Sequence, residues 1–386
     1  MSPTRTSPVS FLKLSSDVAS FYGFRPMREV ERASAGAWKN RERPRARATH
    51  TFDAAAAMCA ASASVSQGEP VLAYYATPSP SPLPLGSIVQ EVGEFGLQAV
   101  GTSESVGEII LLKTLSTIFA EWGTPPTRVR VNALGDRESQ QRFARELSIH
   151  VRKHANRLLA EHRAAIMENP MLLYRIEAPE HQELRAEAPH SLTYLSEKSR
   201  AYFRSMLEHL EVLDIPWEID DSLVGDPRAP HVAFALDFAE GDTTIIAAMG
   251  GRFDDYLRER AQRKDSTGVG ASIFFRKKGA SAKNFATSVV KQKPKIYFAQ
   301  LGIKAKLQGL KVVDHLRKAR VPVMQTFEAA HLSSQLTTAR ALDVQYLFIM
   351  GQREAIDSTV LVRSMDNGVQ VTLSIHEIPR FLRTLR

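Results

Sequence analysis

Two short apolar runs in the middle of the chain have the length of buried strands. Val232–Phe238 (VAFALDF) and Thr243–Ala248 (TTIIAA) flank a turn-forming tetrapeptide that contains glycine, which is typical of two adjacent strands. The second run leads into Gly250 and Gly251, where the absence of a Cβ lets a backbone pass close to a ligand. The simpler interpretation of the two glycines alone is a tight turn before the helix that we predict over Phe253–Arg263.

Further strands and helices are predicted from the spacing of hydrophobic residues, which repeats every 2 residues in a strand and about every 3.6 residues in a helix. The other predicted strands in this part of the chain are Val71–Tyr75, Val92–Val100, Arg128–Asn132 and Thr267–Phe275. The other predicted helices are Phe11–Arg25, Ser105–Phe119, Arg137–Glu168 and Ser191–Leu213. One Ala- and Ser-rich stretch, Asp53–Val65, is typical either of a plain helix or of a loose linker.

Strands alternate with helices in the last part of the chain, from Lys295 onward. The predicted elements are strands at Ile296–Leu301, Val321–Met324 and Tyr346–Met350, helices at Ala305–Arg320 and Leu332–Leu342, a hairpin of Thr359–Arg363 and Gln370–Leu373, and a helix from His376. This alternation predicts a small second domain whose α/β sheet contains parallel strands.

A strongly basic stretch precedes this second domain. Between Arg258 and Lys295 there are eleven basic residues and two acidic ones. A solvated linker kept soluble by lysines and a nucleic-acid contact explain such a stretch equally well. The candidate nucleic-acid-binding residues in it are Arg276, Lys277, Lys278, Lys283, Lys291, Lys293 and Lys295.

The composition excludes several classes of protein. The chain of 386 residues has 44% hydrophobic and 24% charged residues, which is typical of a globular protein with two or three domains. Its single cysteine, Cys59, excludes a disulfide framework and a Cys-based zinc cluster and favours a reducing cytoplasm. No apolar run approaches the roughly 18 residues that span a bilayer. The net charge of +8 favours a polyanionic partner.

Several phrases at matching intervals resemble the histidyl-tRNA synthetase family, which belongs to the class II aminoacyl-tRNA synthetases. Gly250-Gly251-Arg252-Phe253-Asp254 resembles the Gly-Gly-Gly-Arg-Tyr-Asp phrase near the end of the family's catalytic domain. Other phrases with close family counterparts are Tyr22-Gly23-Phe24-Arg25, Leu134-Gly135-Asp136, Glu168-Asn169-Pro170, Leu213–Asp220 and Tyr346–Glu354. The resemblance extends over residues 17–386.

The resemblance implies an α/β (α+β) fold in two domains. Residues 1–278 would form the class II catalytic domain, which is built on an antiparallel sheet and has a helical insertion at about 137–213. Residues 279–294 would form a basic linker, and residues 295–386 a small α/β domain that resembles the anticodon-binding domain. The family also implies a homodimer, although Val30 stands where the first motif has a proline.

The second motif of the family has changed in this chain. In the family, its arginine clamps the ATP α-phosphate and its glutamate orients the adenine end. Counted back from the strand that follows, these two positions fall on Pro80 and Pro82. A shift of the alignment does not restore them, because no arginine lies between Arg47 and Arg128 and residues 71–90 contain no Asp, Glu, Lys, Arg or His.

Other substrate-binding positions have changed as well. The family has an Arg-Gly-Leu-Asp-Tyr-Tyr phrase whose arginine and tyrosine bind histidine, but here the tyrosines are absent. The nearest arginine, Arg228, lies about three residues away between Pro227 and Pro230. Gln98 takes the position of the carboxylate that receives the histidine amino group. The ATP-binding arginine of the third motif falls on Lys277, which keeps the charge but loses the bidentate fork.

The resemblance implies ATP-dependent ligation of histidine to tRNA, a reaction that requires cations placed around the phosphate. Because these positions have changed, we expect a non-catalytic relative that binds tRNA or another structured RNA, without a cofactor or a metal ion. The alternatives are an active ligase with relocated groups, which would use ATP and Mg²⁺, and a regulatory or scaffold subunit. The family's regulatory relative, the ATP phosphoribosyltransferase subunit, lacks an anticodon-binding domain, which argues against the last alternative. The vestigial substrate-binding residues are Gly250, Gly251, Arg252, Phe253, Gln98 and Arg228.

Overall fold

The computed structural model describes residues 7–33, 52–65, 70–78, 91–102, 104–176, 178–224, 226, 228, 230–238, 245–261, 264–277, 280, 285, 293–325 and 332–384. The strands are β1 (Arg25–Pro26), β2 (Val71–Thr77), β3 (Val92–Val100), β4 (Pro126–Ala133), β5 (Trp217–Ile219), β6 (Val232–Phe238), β7 (Ile245–Arg252), β8 (Gly268–Arg276), β9 (Ile296–Gln300), β10 (Val323–Gln325), β11 (Tyr346–Met350), β12 (Thr359–Ser364) and β13 (Gln370–Ser374). The helices are α1 (Pro8–Phe21), α2 (Met27–Ala33), α3 (Phe52–Val65), α4 (Val106–Trp122), α5 (Arg137–Lys153), α6 (Ala160–Glu168), α7 (Leu172–Arg175), α8 (Gln182–Ala186), α9 (Glu197–Val212), α10 (Asp254–Ala261), α11 (Ile303–Lys318), α12 (Leu332–Ala341), α13 (Gln352–Ile356) and α14 (Ile378–Thr384). No helix in the described part of the chain is long and apolar enough to cross a membrane.

The first sheet is mainly antiparallel. Over the described residues its strands lie in the order β1-β2-β3-β8-β7-β6-β4-β5, with antiparallel pairing across the centre and the two short edge strands parallel to their neighbours. Helices α1 and α4 pack on one face, and α3 packs with α10 on the other. The antiparallel sheet that the resemblance implies is confirmed. Of the two interpretations of the Ala- and Ser-rich stretch, the helix is the one observed.

The segment predicted as a helical insertion, about 137–213, is divided into more helices than its sequence predicts. The charged, strongly helical sequence predicted one helix over Arg137–Glu168, but α5 ends at Lys153 and α6 begins at Ala160. The break is stabilised by a residue further along the chain, because the Leu159 N–H donates to Nε2 of the buried His181 at 3.3 Å. A helix that continued through this point would use the same N–H for its own backbone hydrogen bond.

The second long helix of the insertion, α9, begins later than its predicted start at Ser191, because Ser196 caps it. The Ser196 Oγ accepts from the Ser199 N–H at 3.2 Å and donates to Asp136 at 2.6 Å. Asp136 also caps α5 by accepting from the Ser139 N–H at 3.0 Å, so one carboxylate fixes the start of both helices. Although burial opposes ionisation, the hydrogen bonds from Ser196 and Ser139 lower the pKa of Asp136 well below its usual value.

The second sheet combines parallel and antiparallel strands. Over the described residues the order is β10-β9-β11-β12-β13, parallel across the first three strands and antiparallel across the last three. The predicted small α/β sheet with parallel strands is confirmed. Helix α11 of this part packs against α1 and α4: Asp314 accepts from the Tyr22 hydroxyl at 2.6 Å and pairs with Lys113 at 2.5 Å, and Arg317 donates to both Glu121 oxygens at 2.9 and 3.0 Å.

Candidate functional site

The candidate site lies on the α3 side of the first sheet, where polar side chains project from the central strands. Since successive residues of a strand point to opposite faces, Glu94 and Gln98 of β3 share this side. Glu94 is fully buried, and its Oε1 accepts hydrogen bonds from Tyr75 Oη and Ser272 Oγ, both at 2.6 Å. Burial and the nearby Glu94 carboxylate raise the pKa of Tyr75 well above its usual value, so the phenol stays protonated and donates. The floor of the site is therefore a hydrogen-bonded cluster without solvent.

Gln98, at one of the predicted substrate-binding positions, faces a very small cavity. Its side chain is 2% exposed, and its Nε2 has no hydrogen-bond partner among the described residues. The cavity has a volume of about 10 Å³ and lies against Phe52 and Phe253, which is room for about one water molecule. Between the described residues that line it, this space is smaller than a nucleotide or an amino acid.

Gly250 and Gly251 lie inside β7, so the interpretation as a tight turn before a helix is wrong. Both glycines pair with β8 across the ladder. A Cβ on Gly250 would come within 2.3 Å of the Gly270 carbonyl oxygen and 2.7 Å of the Phe234 ring, so this glycine makes room inside the sheet. A Cβ on Gly251 would come within 2.5 Å of the Val232 carbonyl oxygen and 3.3 Å of the Phe253 ring, so the second glycine borders the candidate site.

Arg252 shares the face of Gly250, opposite to α3, and forms a buried ion pair. Its guanidinium donates from Nε and Nη2 to Glu108 of α4 at 2.7 and 2.8 Å, and from Nη1 to the Thr102 carbonyl at 2.7 Å. Although burial alone would lower the pKa of Arg252, the Glu108 carboxylate raises it, so the guanidinium stays charged. This geometry supports a role in holding β7 against α4 rather than in binding a substrate.

Phe253 and Arg228 meet at the candidate site. The Phe253 ring packs edge-on against Phe52 with the centroids 5.3 Å apart. The Arg228 guanidinium carbon lies 4.1 Å from the Phe52 ring centre and 4.4 Å from that of Phe253. Its Nε and Nη2 donate to the two carboxylate oxygens of Asp226 at 2.9 and 2.5 Å. An arginine displaced along the sequence therefore still reaches the site, but its fork is already occupied.

Two described lysines of the predicted basic tract have partners within the chain. Lys277 Nζ donates to the Pro78 carbonyl at 2.6 Å, and Lys293 Nζ pairs with Asp343 at 2.6 Å, with both side chains of that pair exposed. The exposed ends of the tract are Arg276 and Lys295. The positions that lie outside the described residues are Lys278, Lys283 and Lys291 of the tract and Pro80 and Pro82 of the second motif.

The sequence did not identify Glu94, Phe52 or Asp226 as members of the site. Glu94 could have been found, because strand alternation places it on the same side as Gln98. No local signal connects Phe52 with Arg228, since the two residues are far apart in the sequence and meet only in the fold. The described residues contain no group of three or more His, Cys, Asp or Glu that could hold a metal ion.

Comparison with known proteins identifies relatives of both parts of the chain. Residues 295–385 match the family model of the anticodon binding domain. The histidine–tRNA ligase of Bacillus velezensis is 26% identical over 318 residues, which cover 81% of this chain and 75% of that protein. The ligase of Bacillus subtilis is 26% identical over 319 residues, covering 80% and 74%. The crystal structure of apo S. aureus histidyl-tRNA synthetase covers 81% of this chain and 77% of its own at 20% identity, with a TM-score of 0.41. The anticodon-binding match and the two ligases, whose similarity extends over most of the chain, support the assignment of this chain to the histidyl-tRNA synthetase family.

Proposed function

We propose that this chain is a histidyl-tRNA synthetase-like protein that binds tRNA or another structured RNA and does not form histidyl-adenylate. The observation that carries the proposal is the filling of the candidate site by the chain itself. Arg228, 8% exposed, occupies the space between Phe52 and Phe253 with its fork on Asp226. A substrate carboxylate would have to displace Asp226 before it could bind the Nε–Nη2 edge of this arginine.

The chemistry of adenylate formation supports the same conclusion. The reaction brings an anionic carboxylate to an anionic α-phosphate, so it depends on cations that are placed in advance. Prolines stand at both second-motif positions, and no arginine lies between Arg47 and Arg128. Of the arginines that remain near the site, Arg252 is held by Glu108 and Arg228 by Asp226. The loss of a single group of this kind costs a factor of about 10² to 10³ in rate.

RNA binding is supported by the other part of the chain. Residues 295–385 match the anticodon binding domain, and the net charge of +8 favours a polyanionic partner. The basic tract, which we assign to residues 276–295, precedes this match in the sequence and has exposed cations at both ends. We assign the tract to phosphate contacts, which position an RNA without reading its sequence.

The decisive experiment is ATP–pyrophosphate exchange in the presence of histidine, run beside a titration with tRNA. We expect no histidine-dependent exchange together with saturable RNA binding. Exchange at the rate of an ordinary synthetase would refute the inactivity, and the absence of any RNA binding at low salt would refute the binding function.

The tract is tested separately with Lys277→Ala, Lys278→Ala and Lys283→Ala combined. If these lysines contact phosphates, affinity falls about equally for every RNA sequence, and the log–log salt slope becomes shallower by about 0.7–0.9 for each lost contact. A charge-matched control combines Lys13→Ala, Arg28→Ala and Lys153→Ala, three exposed cations outside the tract. An unchanged salt slope in the tract variant, or the same change of slope in the control, would contradict the phosphate contacts and leave the tract as a linker.

One observation favours a second candidate, an active ligase with a relocated cation. The Arg228 side chain lies at the candidate site, although Arg228 is about three residues away from the position of the family's arginine in the sequence. If Arg228 took the place of the family's arginine, histidine-dependent exchange would be present in the natural chain and lost in Arg228→Lys, which keeps the charge but not the fork. The same exchange assay therefore separates the two candidates.

A further inference from the structure

The surroundings of Arg228 have the features of a binding site for a planar cation. Phe52 and Phe253 are 2% and 3% exposed, and their ring planes are inclined by 85°, so they form two walls of a dry corner. The guanidinium carbon lies within 4.4 Å of both ring centres. A cation gains most from an aromatic face when water is excluded, and a guanidinium is more weakly hydrated than an ammonium and stacks on such faces.

Asp226 completes this corner with a negative charge. Its two oxygens accept from two different nitrogens of the Arg228 fork, the geometry in which a carboxylate and a guanidinium bind most strongly. Although burial by itself lowers the pKa of Arg228, Asp226, Tyr75 and Asp53 raise it above its usual value, so the electrostatic surroundings favour the cation.

The local backbone explains how Arg228 reaches the corner from so near in the sequence. The Arg228 N–H donates to Asp226 Oδ1 at 2.9 Å, which closes a turn between the two residues. Further on, the His231 N–H donates to the Arg252 carbonyl at 2.8 Å and returns the chain to the sheet. Arg228 thus enters the corner from outside the strands of the sheet.

We propose that Phe52, Phe253 and Asp226 form a binding cage for alkylguanidinium cations, and that Arg228 of the same chain is its resident occupant. The cage closes the α3 side of the sheet above Gly251 and beside Gln98. Removal of the occupant would open a space shaped for an arginine-like side chain or a free alkylguanidine. This inference does not depend on the proposed function, since it concerns occupancy of the cage and not RNA binding or catalysis.

The test is chemical rescue of Arg228→Ala in the full chain. The substitution leaves the Asp226 carboxylate without its fork, and we expect the Tm to fall by about 5–10 °C. Ethylguanidine at concentrations on the order of millimolar should raise the Tm of this variant and reach saturation, because a ligand that binds only the native state stabilises it. The natural chain, whose cage is occupied, should show no such rise.

Arg258→Ala is the matched control, because Arg258 also donates to an aspartate, Asp255 at 3.0 Å, but none of the described aromatic rings stacks on its guanidinium. Ethylguanidine should not rescue this control, nor the double variant Arg228→Ala/Asp226→Asn. A rise of equal size in the control, or no rise in Arg228→Ala, would overturn the proposal. If Arg228→Ala does not fold, Asp226→Asn and Phe253→Leu are combined in the otherwise natural chain. Both act on the same guanidinium, so the two decreases in Tm should not add, and full additivity would overturn the proposal.

Discussion

Replacement of Glu108 by Gln tests whether Arg252 has a structural role. The Arg252 side chain is 2% exposed and that of Glu108 is fully buried, so this ion pair is shielded from water and salt. Glu108→Gln keeps the size of the side chain and one acceptor oxygen but removes the negative charge. Arg252 then keeps Asp254 at 3.2 Å and the carbonyls of Thr102 and Glu104.

The expected loss in the free energy of unfolding follows from the burial of this ion pair. Removing one partner of a buried pair costs about 3–5 kcal/mol, because the other charge is left without compensation in a medium of low dielectric constant. Since Asp254 remains as a second carboxylate, we expect the low end, about 3 kcal/mol, in the free energy of unfolding. The control Glu218→Gln removes a carboxylate from Arg128, but those side chains are 39% and 50% exposed, so its cost should stay below about 1 kcal/mol.

The assay is urea unfolding of both variants and the natural chain. The dependence of the free energy of unfolding on urea concentration is compared first, and the midpoints of the transitions are compared afterwards. A loss in Glu108→Gln no larger than in Glu218→Gln would refute the structural role. The double variant Glu108→Leu/Arg252→Met adds a second condition. Removing both charges should cost less than removing one, because no guanidinium is then left without its main carboxylate in the core, and Asp254 still accepts from the Gly268 N–H at 2.9 Å.

Three further outcomes are expected. Burial lowers the pKa of His181 below its usual value, so the folded chain keeps this histidine neutral. Its contribution to stability should be complete above about pH 6.5 and decrease as the pH falls below that value. His181→Gln should therefore weaken the pH dependence of the Tm in thermal melts between about pH 5 and 7. Arg317→Ala removes both bonds to Glu121 and should cost about 1–2 kcal/mol, with faster limited proteolysis between the two sheets; unchanged cleavage would contradict this. We also predict a homodimer formed through the catalytic-like domain, residues 1–278, for which a monomer mass in light scattering at micromolar concentration would be the contrary result.

The strands of the first sheet were predictable wherever local alternation and burial agree. Val92–Val100 was predicted and observed with the same limits, because all nine of its residues are buried and turn residues flank it. Helix limits in the insertion were less predictable. Arg137–Glu168 is charged and strongly helical in sequence, but the break depends on His181, which is 22 residues from Leu159 in the sequence and meets it only in the fold. A pattern within one segment contains no information about such a partner.

The residues of the candidate site were predictable only in part. Counting residues along the sequence gives the position of a residue but not the direction or the length of its side chain. The count placed Arg228 about three residues from the substrate-binding position, yet its long side chain enters the site between Phe52 and Phe253. The same count placed Arg252 in a substrate-binding phrase, yet strand alternation turns it to the opposite face and onto Glu108. In both cases the outcome was decided by the direction of a side chain.

The side chains on the two faces of the first sheet have different structural roles. This difference explains how the chain can resemble the family in its fold and differ from it in its motif residues. On β3, Phe95, Leu97 and Ala99 face the core formed with α1 and α4, and all three are fully buried. A polar replacement there would remove contacts on which the whole fold depends. Glu94 and Gln98 alternate with them and face α3, where the fold requires only that the space be filled and the polar groups be bonded. The sheet therefore persists as long as the first set is kept, while the second set is free to change. A chain that is similar to this family can in this way keep the same sheet while its own arginine fills the site face.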